Sequence, residues 1–208
     1  MKDIKYIIFD FDGTIADSFK FGVKISNKLA LRFDYKLITQ DKIEYYRGRT
    51  TQEILKEAKI PFYKFPFVVK EFRKEINKII EQLKPFADMP EVIRTLSKKY
   101  KLGVLSSNSQ SNVETVLKTN NLLTYFEFIK SKSKLLSKSK SMKKLLLEYN
   151  LKPENIIYIG DETRDIEAAH KVNIKIICVS WGFNTRKVLS KYSPDYLVDQ
   201  PLEILKII

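Results

Sequence analysis

The chain has 208 residues, of which 44% are apolar, enough for one domain with a buried core and a smaller appendage. It contains no apolar run of about 18 residues, so we expect no membrane span. The first residues lead into a strand pattern rather than a signal peptide. The single cysteine, Cys178, permits no internal disulfide and lies in an apolar run. We therefore expect a cytoplasmic protein with an inert, buried thiol.

The net charge is +13, from 38 Lys and Arg residues against 25 Asp and Glu residues. Such a charge attracts anions or nucleic acid. The lysines are densest between Lys130 and Lys144, where no aromatic residue is interleaved to stack on bases. This favours a solvated loop and helix surface over a nucleic-acid partner.

Six short apolar runs predict strands, and several are continuous, as in strands that are covered on both faces. Helical patterns at Ser111–Asn120, Ser141–Tyr149 and Arg164–Val172 separate the later runs. This alternation predicts an α/β fold with a doubly wound, mostly parallel sheet. The predicted strands are Ile4–Phe9, Leu102–Leu105, Phe126–Ile129, Ile156–Ile159, Ile174–Val179 and Tyr196–Val198.

The interval from Ser18 to Pro85 shows no strand pattern and predicts helices, with prolines between some of them. We therefore predict an α/β core formed by residues 1–17 and 86–208. An all-helical cap of residues 18–85 is inserted after the first strand, with both of its ends at one edge of the sheet. The predicted cap helices are Phe19–Phe33, Thr39–Tyr46, Thr51–Ala58 and Phe67–Leu83.

The most informative motif directly follows the first predicted strand. Asp10 and Asp12 lie two positions apart, and Gly13 and Thr14 come next. Whether the strand continues or turns at Gly13, both carboxylates can face one point. Carboxylates held close together repel each other unless a cation lies between them, and oxygen ligands select Mg²⁺ or Ca²⁺.

Other polar residues also follow predicted strands, where open α/β sheets bind their ligands. Ser106 or Ser107 can offer a hydroxyl, and the neighbouring main chain an N–H group, to a phosphate oxygen. Lys138, with Lys140 as the alternative, can stabilise a developing anion electrostatically.

The last polar segment runs from Gly160 to Asp165. Asp161 and Asp165 are four residues apart, so a helix that begins here stacks them on one face. In order along the chain, the four segments resemble the motifs of the haloacid dehalogenase-like (HAD) hydrolases. The helical insert resembles the small cap of the phosphoglycolate phosphatase and β-phosphoglucomutase branch. The sequence departs from that branch at the third motif, where Ser137-Lys138-Ser139 replaces Gly-Lys-Pro.

The resemblance implies a Mg²⁺-dependent phosphatase that acts through an aspartyl-phosphate. Asp10 would be the nucleophile and Asp12 the general acid and base. The metal would be held by the Asp10 carboxylate, the main-chain carbonyl of Asp12, Asp161 and waters. Asp165 would orient a metal-bound water or Lys138.

The resemblance also implies a small anionic phosphorylated substrate. Its phosphoryl oxygens would be bound by Ser106, Lys138 and main-chain N–H groups near Phe11 and Ser107. In the cap, Arg47 and Arg49 are either the groups that face the substrate or solvated arginines at a helix end. The segment Trp181–Phe183 either lines the rim of the site or packs beneath a loop.

Several alternatives remain. A phosphomutase shares the same core, whereas a haloacid dehalogenase needs neither Asp12 nor an acidic fourth motif. A regulatory protein that has lost its activity is disfavoured by the complete set of carboxylates. The sequence leaves the substrate open, with phosphoglycolate suggested by the cap type alone, and it leaves open a monomer or a homodimer.

Overall fold

The computed structural model describes residues 3–61, 63–131 and 138–208. Its strands are β1 (Tyr6–Phe9), β2 (Lys101–Ser106), β3 (Phe126–Ser131), β4 (Ile156–Gly160), β5 (Lys175–Val179) and β6 (Tyr196–Val198). They form one sheet in the order β3-β2-β1-β4-β5-β6, and every neighbouring pair is parallel. The predicted α/β fold with a doubly wound parallel sheet is confirmed.

The helices of the described residues lie on both faces of this sheet and in the insert. They are α1 (Phe19–Phe33), α2 (Ile43–Arg47), α3 (Thr51–Glu57), α4 (Phe65–Ile79), α5 (Met89–Ser97), α6 (Gln110–Thr119), α7 (Lys138–Glu148), α8 (Thr163–His170), α9 (Arg186–Ser190) and α10 (Ile204–Ile207). Within the described ranges, no helix combines the length and apolar character that crossing a membrane requires.

Alternate strand residues face two separate apolar cores. Ile7 and Phe9 of β1 contribute to one core, together with residues of α5 and α6, while Tyr6 and Ile8 contribute to the other with α7 and α8. Burial of both faces explains why the strand sequences are continuously apolar. Cys178 lies in the second core, and burial raises the pKa of its thiol, which agrees with an inert cysteine.

The insert between β1 and β2 contains helices α1 to α4, as predicted. Its two connections to the sheet run side by side. The N–H of Asp17 donates to the carbonyl of Lys84 at 2.9 Å, and that of Phe86 donates to the carbonyl of Ile15 at 2.9 Å. This pairing supports the division into a core and a cap of residues 18–85, which itself stays a prediction.

Prolines account for part of the difference between predicted and observed helices. The fourth cap helix is predicted to start at Phe67, but α4 starts at Phe65 and has Pro66 in its first turn. The helix α5 is not predicted from the sequence, and Pro90 lies at the equivalent position in its first turn. Proline fits a first turn because the N–H group that it lacks has no partner within the helix there. These prolines therefore lie at the starts of helices, whereas the sequence pattern predicts breaks between helices there.

Candidate active site

The centre of the sheet brings the two most specific motifs together. Phe9 of β1 pairs with Ile159 of β4, so Asp10 is level with Gly160 and Asp161 follows one residue later. The strand order reverses direction between β1 and β4, and in open α/β sheets such a switch point forms a crevice at the carboxyl ends. The sequence-predicted acids therefore meet at the position where this architecture binds ligands.

Asp10, Asp161 and Asp165 form a buried cluster in which each offers a carboxylate oxygen, and these oxygens all lie within 4.8 Å of one another. Burial raises the pKa of Asp161 well above its usual range, and it raises that of Asp10 to about 7, although the charge of Lys138 opposes that rise. A cation bound between these carboxylates offsets their mutual repulsion and favours their ionised forms. The donor set consists of oxygen alone and fits Mg²⁺.

Lys138, the first residue of α7, extends into this cluster. Its Nζ lies 2.5 Å from Oδ2 of Asp10 and also donates to Oδ1 of Asp165. Burial opposes protonation, but these two carboxylates raise the pKa of Lys138 well above its usual value. The side chain of Lys138 is 10% exposed, whereas Lys140 lies on the exposed surface. Of the two candidate lysines, Lys138 is the one at the site.

Hydrogen bonds and two glycines fix the position of Asp161. Its Oδ1 accepts from the hydroxyl of Thr14 at 3.0 Å, and its Oδ2 accepts from the N–H of Phe183 at 2.7 Å. A Cβ atom on Gly13, whose φ is +76°, would lie 2.1 Å from Asp161 Oδ2, and one on Gly182 would lie 2.3 Å from it. The loop after β5, which contains Trp181–Phe183, therefore lines the site. This agrees with the interpretation that the segment lies at the rim of the site.

Asp12 lies beside the segment that follows β2. It is partly exposed, and its Oδ2 accepts from the side-chain amide of Asn108 at 3.1 Å. Partial burial raises the pKa of Asp12, while donation by Asn108 opposes the rise. Ser106 is buried, and its hydroxyl oxygen accepts from the N–H of Asn108 at 3.0 Å, while Ser107 is half-buried beside it. The first two motifs thus meet directly.

The cap arginines have different environments. The guanidinium of Arg47 donates to the carbonyls of Gly182 at 3.0 Å and Ser180 at 3.1 Å. The guanidinium of Arg49 stacks 4.6 Å from the ring centroid of Tyr45, and its side chain is 35% exposed. Arg47 is therefore hydrogen-bonded to the loop after β5. Contact of either arginine with the substrate stays a prediction.

Comparison with known proteins gives the family. The family model of the haloacid dehalogenase-like hydrolases matches residues 7–179. The chain belongs to this HAD family. A phosphoglycolate phosphatase from Synechococcus elongatus is 32% identical over 97% of this chain and 96% of that protein. A second, from Aquifex aeolicus, is 25% identical over 98% and 96%, respectively.

Solved structures agree on the fold. A haloacid dehalogenase-like hydrolase from Streptococcus pneumoniae superposes with a TM-score of 0.85 at 24% identity, covering 100% of this chain and 99% of that one. The family match and the phosphatase relatives identify the chain as a hydrolase of the phosphatase type. The predicted family and enzyme class are confirmed, while the roles of single residues stay predictions.

In this HAD chain, side chains that no sequence pattern predicts join the cap to the fourth motif. The hydroxyl of Thr51 donates to the carboxylate of Glu162 at 2.7 Å. The side chain of Asn184 donates to the carbonyl of Arg49 at 2.8 Å and accepts from the N–H of Thr163 at 3.0 Å. These partners are distant in sequence and form no local motif, so only the docked cap reveals them.

Proposed function

We propose that the chain is a Mg²⁺-dependent phosphomonoester hydrolase that acts through an aspartyl-phosphate intermediate on a small anionic metabolite. The observation that carries this proposal is the buried cluster of Asp10, Asp161 and Asp165 with the ammonium group of Lys138 between two of its members. Oxygen ligands suit a hard divalent cation, and a lysine beside an aspartate suits the transfer of an anionic phosphoryl group.

The carboxylates differ in how many hydrogen bonds they already accept: Asp10 and Asp161 accept one on each oxygen, whereas Asp165 accepts three in total. One oxygen of Asp165 accepts from the N–H groups of Asp161 at 3.2 Å and Glu162 at 3.1 Å, and the other accepts from Lys138. Asp165 therefore suits a supporting role, in which it orients Lys138 or a metal-bound water. We propose that the carboxylates of Asp10 and Asp161 and the carbonyl of Asp12 hold the ion. Bound Mg²⁺ offsets the negative charge of the phosphoryl group.

The side chains divide the reaction into two steps. A carboxylate oxygen of Asp10 forms a bond to phosphorus as the bond from phosphorus to the leaving oxygen breaks, and Asp12 gives its proton to that oxygen. Asp12 then takes a proton from the water that cleaves the aspartyl-phosphate. Ser106, Lys138 and the N–H of Ser107 bind the phosphoryl oxygens. Lys138 also favours the ionised form of Asp10, against the effect of burial.

The relatives suggest the substrate to test first. Both relatives described above are named phosphoglycolate phosphatase and align over nearly the whole chain. Phosphoglycolate carries a carboxylate besides its phosphate, and an arginine such as Arg49 can bind a carboxylate through two parallel hydrogen bonds. We propose that the cap supplies this selectivity while the core breaks the bond. A cytoplasmic location accords with the single buried cysteine.

The test measures phosphate release from phosphoglycolate, sugar phosphates, pyrophosphate and p-nitrophenyl phosphate, with Mg²⁺ and with chelator. Turnover should require Mg²⁺. Asp10→Asn should form no aspartyl-phosphate. Asp12→Asn should turn over about 10²–10⁴-fold more slowly, yet still become phosphorylated by the aryl substrate. Asp3→Asn removes an exposed carboxyl before β1 and should match wild type. Full activity in chelator, or isomerised sugar phosphate without phosphate release, would overturn the proposal.

A further inference from the structure

Three asparagines connect Asp12 to the cap. Asn108, after β2, donates to Asp12 at 3.1 Å. Asn112, in α6, donates to the side-chain oxygen of Asn108 at 2.9 Å and to that of Asn77, in α4, at 2.7 Å. We propose that this asparagine relay (Asn108, Asn112 and Asn77) positions Asp12 for proton transfer and makes its position depend on α4. The inference rests on the acid and base role of Asp12 in the proposed function.

Each amide in the relay has a fixed role as donor or acceptor, and a main-chain N–H group sets these roles. The N–H of Ser109 donates to Oδ1 of Asn108 at 2.8 Å. A main-chain N–H can only donate, so the amide nitrogen of Asn108 must face Asp12. Asn112 must then present its nitrogen to Asn108, and its hydrogen bond to Asn77 requires an acceptor there. Asn108 is thus needed as donor and acceptor, Asn112 as donor, and Asn77 as acceptor alone.

The burial of the Asn112 side-chain amide costs free energy unless its polar atoms are hydrogen-bonded. It is 6% exposed, and its neighbours Val113 and Val116 in α6 belong to the apolar core. A buried amide is tolerated where its polar atoms are paired. The two partners of its nitrogen lead to Asp12 on one side and to the cap on the other.

The main chain of Asn108 is also held, so the relay ends on a fixed support. Its N–H donates to the hydroxyl oxygen of Ser106 at 3.0 Å, and its carbonyl accepts from the hydroxyl of Ser131. The side chain of Asn108 therefore has little freedom to follow Asp12 if Asp12 moves. An acid and base must lie within hydrogen-bond reach of the leaving oxygen and then of the attacking water. A rigid donor at one carboxylate oxygen satisfies that need.

Replacement of asparagine by aspartate keeps the shape and removes the donor, so it tests these donor and acceptor roles. Asn108→Asp places a carboxylate against Asp12, and Asn112→Asp places one against the oxygen of Asn108. Both should disrupt the position of Asp12. Asn77→Asp keeps the required acceptor and should preserve the relay, whereas Asn77→Leu, of similar size, should not. Simple packing gives no reason for this pattern.

The readout is kcat/KM for an alkyl phosphate and for p-nitrophenyl phosphate. The alkyl leaving group needs a proton from Asp12, whereas nitrophenolate leaves with little help. Since acid and base catalysis is worth about 10²–10⁴-fold, Asn108→Asp and Asn112→Asp should lose at least about tenfold more on the alkyl substrate. Asn77→Leu should shift the ratio in the same direction, and Asn77→Asp should restore it. Asn77 is exposed, so its variants remain informative if a buried aspartate prevents folding.

Equal losses on the two substrates in Asn112→Asp, or the same ratio in Asn77→Leu and Asn77→Asp, would overturn the relay. Asp12→Asn separates this result from failure of the proposed function. If Asp12→Asn shows the selective alkyl loss and the asparagine variants do not, only the relay is wrong. If Asp12→Asn shows no selective loss, the acid role of Asp12 is wrong and the relay loses its basis.

Discussion

Nζ of Lys138 lies 2.5 Å from Oδ2 of Asp10, which joins the start of α7 to the end of β1. Both side chains are almost completely buried. Lys138 also donates to Asp165 on its other side. One ammonium group therefore contacts two of the three clustered carboxylates, so it affects the charge balance of the folded chain and, in the proposed function, the electrostatics of phosphoryl transfer.

Substitution of Lys138 should affect stability and activity together. Lys138→Met leaves two buried carboxylates without their cation, and breaking a buried pair in this way costs about 3–5 kcal/mol. If Lys138 binds the phosphoryl oxygens as proposed, its loss should lower kcat by about 10²–10³-fold. Urea unfolding in chelator and phosphate release with Mg²⁺ measure the two effects. Lys140→Met is the matched exposed control, and similar losses in both variants would contradict the assignment.

The stability of the metal-free protein should depend on pH through Asp10. Burial raises the pKa of Asp10 to about 7, whereas an unfolded aspartate titrates near about 4. Between these values the folded chain holds a proton that the unfolded chain has released. The stability that Asp10 contributes is therefore complete below about pH 4 and is lost as the pH rises through about 7.

Urea unfolding in chelator at several pH values checks this dependence. The free energy of unfolding of wild type should fall relative to that of Asp10→Asn as the pH rises from about 4 to about 7. The comparison cancels groups that titrate independently of Asp10, whereas the change in Asp161, whose pKa the charge of Asp10 helps to raise, belongs to the measured difference. If the difference in the free energy of unfolding between the two proteins stays constant across this pH interval, the pKa of Asp10 is not raised by burial.

The sequence predicts those features whose cause is local. Continuous apolar runs mark the strands, and parallel strands bring Asp10 and Asp161 to one edge of the sheet. The local sequence does not decide which of Lys138 and Lys140 lies at the site, because both belong to one lysine-rich segment. Only the tertiary fold places Lys138 at the carboxylates and Lys140 on the surface. The contact of Arg47 with the carbonyl of Gly182 depends on how the cap docks, which no periodicity encodes.

Close packing of the main chain around Asp161 predicts a sensitivity to small substitutions. A Cβ atom on Gly182 would lie 2.3 Å from Oδ2 of Asp161 and 2.3 Å from the carbonyl oxygen of Gly13. Gly182→Ala should therefore displace Asp161 and weaken the proposed binding of Mg²⁺, measured by titration calorimetry. In α1, a Cβ atom on Gly22 meets only Phe72, at 4.0 Å. Gly22→Ala should leave Mg²⁺ binding unchanged and stabilise the helix by about 0.5–1 kcal/mol.

The two cap arginines should differ in what their loss affects. Arg47 binds main-chain carbonyls of the loop that also holds Asp161. Arg47→Met should loosen the docking of the cap and lower kcat/KM for phosphoglycolate and p-nitrophenyl phosphate by the same factor. Hydrogen bonds from a charged donor are each worth about 1.5–3 kcal/mol, so the loss should be at least tenfold.

Arg49 is more exposed, and among the described residues its guanidinium group bonds or pairs with the cap side chains of Tyr45, Glu53 and Glu57. If it turns to a substrate carboxylate, Arg49→Met should raise KM for phosphoglycolate and leave p-nitrophenyl phosphate unaffected. Lysine at position 49 keeps the charge but not the paired hydrogen bonds, so it should restore only part of the affinity. A loss confined to phosphoglycolate in Arg47→Met would assign substrate binding to Arg47 instead. No loss in Arg49→Met would leave Arg49 as a surface residue whose charge serves the cap alone.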